Sequence, residues 1–550
     1  MTALRGGRLL LLVLAFAAVW FGTLDYRRLV NPDEGRYAEI PREMVASGDW
    51  TTPRLNGFKY FEKPPLQYWA TAVAYEALGE AQWTSRLWTA LTGFAGVLFT
   101  AFAATRLFGG TVGLLSAAVL GSSVLWALMG HINTLDMGVS TFLAAAVFAL
   151  CLAEREGASR RESQAWRDGA WALLALAILS KGLIGAALPG LAVVVYAAWR
   201  GDWGLIARMR PLRGLAILLL ITGPWFLAVS LANPEFPRFF FIHEHFERFL
   251  TKAHGRYEPP WYFIPILLAG LMPWTLTLFA ALRQGLRGDN SVPRGRFDAS
   301  RFLAAWAICV FVFFSASSSK LASYILPIFP ALAVLLAAVL AAAIQRGHLR
   351  RHLLPGLLAA LAIPFLIEFA ERFSKSETIA QAGYDRYETF LYTAAAILLA
   401  CTAAAWFAAK RHGVVAVLAL SAGAHLAGQL VLLGHDNIGF LKSAHDIARE
   451  VRDKIPADAP LYSVGTYDQT LQFYLGRTST MVAYRDELAF GIAQESDKFL
   501  ADLPAFERRW QADSVAFAFM EPGQYAAYQA AGLPMVEIAR DPRRVIVKKP

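Results

Sequence analysis

What most constrains this chain is a repeating pattern of apolar runs, each near the ~20 residues that carry a helix across a bilayer, from residue 8 to residue 434. A helix rises about 1.5 Å per residue, so runs of this length match the ~30 Å hydrocarbon core. Thirteen spans are predicted, at residues 8–24, 83–106, 111–128, 135–153, 168–181, 183–199, 212–231, 261–283, 301–317, 321–344, 352–370, 387–408 and 413–434. An odd number places the two termini on opposite sides. The chain is 56% hydrophobic and 17% charged, against about 25% charged in soluble proteins, which argues against a water-soluble enzyme.

Positive charge sets the orientation. Arg5 and Arg8, Arg106, Arg155 to Arg167, Arg200 to Arg213, Arg283 to Arg301, Arg346 to Arg351 and Lys410-Arg411 fall in alternate short loops, which are read as cytoplasmic. The net charge is +10, yet residues 435–550 hold 14 Lys/Arg and 16 Asp/Glu, so the basic excess belongs to the membrane part. Basic residues confined to short loops mark topology and disfavour a nucleic-acid partner. Cys151, Cys309 and Cys401 lie inside apolar runs, which argues against a disulfide framework or a Cys-type zinc site. Residues 9–24, behind Arg5 and Arg8, are read as an uncleaved first helix despite the weak Ala15-Phe16-Ala17 cleavage match, which sits in mid-run.

Three extracytoplasmic segments are longer: residues 25–82, 232–260 and the tail from His435. The first two carry basic residues against the topological bias, as recognition of an anionic ligand would require. The tail mixes β-branched runs (Leu461 to Val464, Val515 to Phe519, Arg544 to Val547) with helical stretches (Ser443 to Lys454, Phe490 to Leu503) and reads as a small α/β domain without a Gly-rich phosphate loop. The division is 1–434, membrane catalytic part, and 435–550, soluble domain.

Chemistry-bearing residues crowd the first long loop. In Asn31-Pro32-Asp33-Glu34-Gly35-Arg36-Tyr37-Ala38-Glu39-Ile40-Pro41-Arg42-Glu43-Met44, the spacing of Tyr37, Ile40 and Met44 predicts an amphipathic interfacial helix beginning at Asp33 or Glu34. Either acid also suits the positive end of a helix, Asp33 as a plain N-cap. In Tyr60-Phe61-Glu62-Lys63-Pro64-Pro65-Leu66-Gln67-Tyr68-Trp69 the Pro pair can start a second such helix. Lys63, just before it, is either a phosphate seat or a snorkelling cation. Asp136 stands at a span mouth, Arg248 in a charged stretch that also holds His243, and Tyr324 at the start of the tenth span near Lys320. Lys181 lies at the same face. Glu62 and His243 supply two donors for a divalent metal such as Zn, without an HExxH or DxD motif beside them.

The Asp33 and Lys63 motifs resemble those of the polyprenyl-phosphate-dependent membrane glycosyltransferases of the GT-C class, and within it the lipid A 4-amino-4-deoxy-L-arabinose transferases. The class also includes the protein O-mannosyltransferases. The resemblance covers essentially the whole chain. It implies a polytopic α-helical membrane protein of about thirteen transmembrane helices, with interfacial helices in the first extracytoplasmic loop and a C-terminal soluble α/β domain. It further implies a bacterial inner-membrane location with the active site and tail periplasmic. It also implies undecaprenyl-phosphate-aminoarabinose as donor, lipid A as acceptor, and a monomer among membrane lipids. Asp33, Asp136 and Glu34 are then candidate catalytic residues. Lys63, Arg248 and Tyr324, with Arg36, Tyr37 and Tyr60, are candidate ligands of the polyprenyl phosphate; no cofactor is required, and a metal at Glu62 and His243 is an option. Two other readings stay open: a polyprenyl-phosphate-dependent mannosyltransferase, and, in a different class, a lipid transporter.

Overall fold

The structure, a computed structural model, describes residues 6–247, 258–373 and 381–550. Among them, seven helices are long and apolar enough to cross a membrane: Gln82–Phe108, Leu135–Ala153, Pro211–Ala232, Ala299–Ala316, Ala322–Gln345, Ala382–Ala408 and Gly413–Lys442. The pair Phe263–Gly270 and Thr275–Arg287 makes an eighth if it is one span, bent by 112°. Gly7–Gly22, Gly110–Ser122 and Ile184–Arg200 are shorter apolar helices. The two remaining apolar runs fall on Arg160–Lys181, whose first turns are charged, and on a stretch broken near Pro364. Proline lacks the N–H that continues a helix, which accounts for the breaks at Pro273 and Pro364.

Burial follows position in the bundle. Leu135–Ala153 is enclosed almost completely, whereas Pro211–Ala232 turns Leu212, Leu219, Leu220, Leu227 and Leu231 outward, as a lipid-facing helix must. The exit of the first helix meets the end of Gly413–Gly434: Thr23 Oγ1 donates to Gln429 Oε1 at 3.1 Å, and Arg28 pairs with Asp436 at 3.0 Å. The first loop and the tail therefore emerge on one face.

The loop folds as helix Asp33–Ser47, a hairpin and helix Leu66–Leu78. Strands β1 (Arg54–Leu55) and β2 (Phe58–Lys59) pair antiparallel through Asn56-Gly57, both at positive φ, the conformations a tight hairpin turn demands. The Asp33–Ser47 helix is not the interfacial helix its spacing suggests, because residues Glu34 to Met44 are all buried. Its charges are matched by internal partners and the tail covers its outer side, so no face is left for lipid headgroups.

The tail forms a six-stranded sheet from β3 (Leu461–Val464), β4 (Thr480–Val482), β5 (Phe499–Leu500), β6 (Phe517–Met520), β7 (Val536–Arg540) and β8 (Val545–Lys548), in the order β5-β4-β3-β6-β8-β7. The first four positions in that order run parallel, and β8 runs antiparallel to both of its neighbours, β6 and β7. The expected helix over 490–503 instead splits into Ala489–Gln494 and strand β5.

Tail and loop interlock. Asn56 exchanges hydrogen bonds with Ser479, donating Nδ2 to its carbonyl at 2.9 Å and accepting its N–H at 2.8 Å. Arg54 pairs with Glu495 at 2.9 Å, and Leu29 N–H donates to Tyr474 at 2.8 Å. Gly35 lies so near the Gln469–Leu475 helix that a Cβ there would stand 2.7 Å from the Gln469 carbonyl carbon and the Thr470 nitrogen. Only glycine fits this approach.

Candidate active site

Asp33 is the first residue of its helix; the cap position is Pro32, so Asp33 is not the N-cap. Its side chain is 46% exposed, and Oδ1 accepts one hydrogen bond, from Arg36 Nη1 at 2.8 Å. Arg36 in turn meets the tail: its Nε lies 2.5 Å from Glu487 Oε2. Gln469 Nε2 donates to the other oxygen of Glu487. Burial pushes the Glu487 carboxyl up, with Arg36 and Gln469 opposing that rise. Neither Glu487 nor Gln469 carries a local sequence signal, since each lies in a short polar stretch of the tail and Glu487 stands 451 positions from Arg36.

Glu34 is a correction. It is fully buried and receives Arg86 Nε at 2.8 Å and Nη2 at 3.0 Å, together with the Asn133 N–H at 3.1 Å. Burial alone would raise its carboxyl, but Arg86 and Arg27 outweigh that and hold it down at about 2. A carboxylate enclosed in this way is a brace between loop and bundle, so Glu34 leaves the catalytic set.

Asp136 sits in the first turn of Leu135–Ala153, one residue inside the Thr134 cap. It pairs with Lys181 Nζ and accepts from Ser323 Oγ at 3.0 Å. The same ammonium stands 4.7 Å from the centre of the Tyr324 ring, a cation–π contact. The structure thus joins Asp136, Lys181, Ser323 and Tyr324 from three separate segments. Lys320 turns elsewhere, donating to the carbonyls of Glu258 at 2.8 Å and of Ser317, on the wall of a cleft of about 410 Å3.

Lys63 pairs with Glu244 at 3.1 Å, on the π-helical segment Arg238–Glu247, and the residues just before that segment dock through Lys59–Glu235 at 2.6 Å and Phe61–Phe236 at 5.2 Å between ring centres. Glu62 and His243 flank that ion pair. Among the described residues, no three His, Cys, Asp or Glu side chains gather as a candidate metal site. Arg248 lies outside the described residues.

Tyr37, Tyr60 and Tyr68 bind these clusters into one region. Tyr37 stacks on Tyr68 with centres 6.2 Å apart, and all three share an apolar cluster with Leu135, the neighbour of Asp136, and with Tyr467, Leu488 and Ile492 of the tail. Burial pushes the phenols of Tyr37 and Tyr60 well up, so both stay protonated and can donate. The region offers an open carboxylate at Asp33, phenol donors and two lysines in reach of counter-ions, a set suited to a phosphate-bearing, cationic sugar donor.

The C-terminal residues 447–549 match the aminoarabinose transferase C-terminal domain, and residues 62–227 match the dolichyl-phosphate-mannose-protein mannosyltransferase family. Undecaprenyl phosphate-alpha-4-amino-4-deoxy-L-arabinose arabinosyl transferases of Edwardsiella ictaluri and Aeromonas hydrophila are 35% and 34% identical over 330 residues, 59% of this chain. The aligned part spans 58% of the length of each of those relatives. The crystal structure of ArnT from Cupriavidus metallidurans in the apo state is 37% identical, with a TM-score of 0.91 and 98% of each chain covered. The same protein bound to undecaprenyl phosphate gives 38% identity and a TM-score of 0.92, covering 99% of this chain and 98% of that one.

Proposed function

Because the chain belongs to the ArnT family of GT-C membrane glycosyltransferases, we propose that it moves 4-amino-4-deoxy-L-arabinose from undecaprenyl phosphate to a phosphate of lipid A. The observation that carries the reading is the full-length likeness to a protein crystallised with undecaprenyl phosphate, in a chain whose own loop and tail build the acidic and basic region described above.

The sugar C1–O bond to the polyprenyl phosphate breaks, an oxygen of the lipid A phosphate bonds to C1, and undecaprenyl phosphate leaves. Negative charge grows on the leaving phosphate, so Lys63, Lys181 and Tyr324, with Arg248 by the likeness of its motif, stabilise departure. The acceptor phosphate is already ionised at neutral pH, which reduces the need for a general base. Asp33 then takes up a residual acceptor proton or orients the sugar through its ammonium. Asp136 holds Lys181 in place.

In this reading the chain is a multi-pass protein of the bacterial inner membrane with thirteen crossings, a catalytic part at 1–434 and a periplasmic tail at 435–550. It works as a monomer, and its product trades outer-surface negative charge for amines, which gives resistance to cationic peptides such as polymyxin. The test is reconstitution of the purified protein in liposomes with donor and lipid A. Free undecaprenyl phosphate and one added aminoarabinose mass on lipid A support the reading; lipid movement without a new covalent product supports a transporter. The match of residues 62–227 favours mannosyl transfer as a second reading, which equal use of a donor lacking the 4-amino group would uphold.

A further inference from the structure

We propose that Glu487, contributed by the tail, is a positioning residue of the transfer site: it occupies the Nε edge of Arg36, so that Arg36 gives Asp33 one bond and leaves the rest of that carboxylate open to substrate. The inference deepens the proposed transfer reaction and rests on it.

The Asp33–Ser47 helix contains its own control. Two of its arginines face a carboxylate three residues earlier. Arg42 closes on Glu39 with both edges of one fork, Nε to Oε2 at 2.7 Å and Nη2 to Oε1 at 2.6 Å. Arg36, at the same spacing from Asp33, makes a single bond from Nη1 to Oδ1. A guanidinium beside a carboxylate favours the two-point arrangement. At Arg36 the Nε of that same edge lies 2.5 Å from Glu487 Oε2, an ion pair without hydrogen-bond alignment, and Asp33 receives only Nη1, from outside that edge. Asp also reaches one methylene less than Glu, so the restraint and the shorter arm act together. Glu39 is closed off by its partner and fully buried, whereas Asp33 stays 46% exposed.

Glu487 is itself held. Gln469 donates to its Oε1, Leu488 beside it is packed in the apolar cluster with Tyr37 and Tyr60, and its side chain is 9% exposed. Gln469 is fixed in turn, because the backbone of its helix abuts Gly35, the residue before Arg36. Asp468, which caps that helix, is anchored by a buried pair with Arg544 at 2.6 Å. The tail therefore reaches Asp33 through a short chain of contacts: Arg544, Asp468, the Gln469 helix, Glu487 and Arg36, the last step an ion pair.

The experiment is steady-state transfer by purified Glu487→Gln in liposomes, alone and combined with Asp33→Asn. Expected are a fall in kcat of roughly tenfold or more with a donor KM within about twofold of wild type, and no added loss in the Asp33→Asn background. Gln469→Leu, which keeps both charges, shows a smaller loss of the same kind. Wild-type kcat in Glu487→Gln overturns the proposal; so does a loss that multiplies in the Asp33→Asn background. Failure of both Glu487→Gln and Gln469→Leu to give folded protein also overturns it, by making the pair a brace. If the wild-type protein itself transfers nothing, the reaction assignment fails first; with an active wild type, the variants judge Glu487 alone.

Discussion

Arg86 grips Glu34 at two points, 2.8 and 3.0 Å, from 52 residues further along the chain, with both side chains 1% exposed. Removing one partner leaves a buried charge uncompensated, at about 3–5 kcal/mol. Arg86→Ala is expected to lower the melting temperature of the detergent-purified protein clearly more than Asp33→Asn does. The carboxyl ordinarily titrates at 4.5 and is held at about 2, so its contribution is intact above 4.5 and is lost as pH falls from there through about 2. A pH–stability series should show this slope in wild type and a shallower one in Glu34→Gln.

Gly35→Ala places a methyl 2.7 Å from two backbone atoms of the tail helix, which have no rotamer with which to yield. A stability loss of ~1–3 kcal/mol is expected, as in overpacked cores. Limited proteolysis should then cut the tail from the membrane part faster than in wild type; an unchanged rate would show that the helices slide apart freely.

Asp33→Asn should reduce transfer by about 100-fold or more while shifting stability by less than about 1 kcal/mol, since the Arg36 pair it loses is half open to water. Near-normal turnover by the purified variant would remove Asp33 from the mechanism.

Asp136→Asn removes the carboxylate paired with Lys181 while the cation–π contact with Tyr324 stays. We expect at least a tenfold loss of kcat/KM, about 1.4 kcal/mol in transition-state stabilisation. Lys181→Met should give a loss of similar size, and the double variant little more, because the two act as one unit. Additive losses in the double variant would mean that they work separately.

Much of this could be read from residue order. Apolar length marked the helices that are long enough to cross a membrane, and the acidic start of one helix together with Lys63-Pro64-Pro65 marked the loop on which the tail packs. Spacing failed where partners lie far away. Periodicity treated the Asp33–Ser47 helix as one-sided because Arg42, Glu39 and Arg36 look solvated until their partners are known. It likewise left Glu34 among the reactive acids, since Arg86 opens a distant transmembrane helix. The weak alternation of β4 and β5, three and two residues long, gave no strand signal before their neighbours were in place.

The Gly35–Gln469 contact also says something about biogenesis. The two residues are separated by more than 400 positions, so at the ribosome's pace of about 5–20 residues per second the loop waits roughly 20–90 s for the surface that will cover it. During that interval Tyr37, Ile40 and Met44 lack the tail side chains Tyr467, Met481, Leu488 and Ile492 that complete their apolar cluster. The last fifth of the polypeptide thus completes a core begun in the first tenth, and truncated products should be cleared as unfinished.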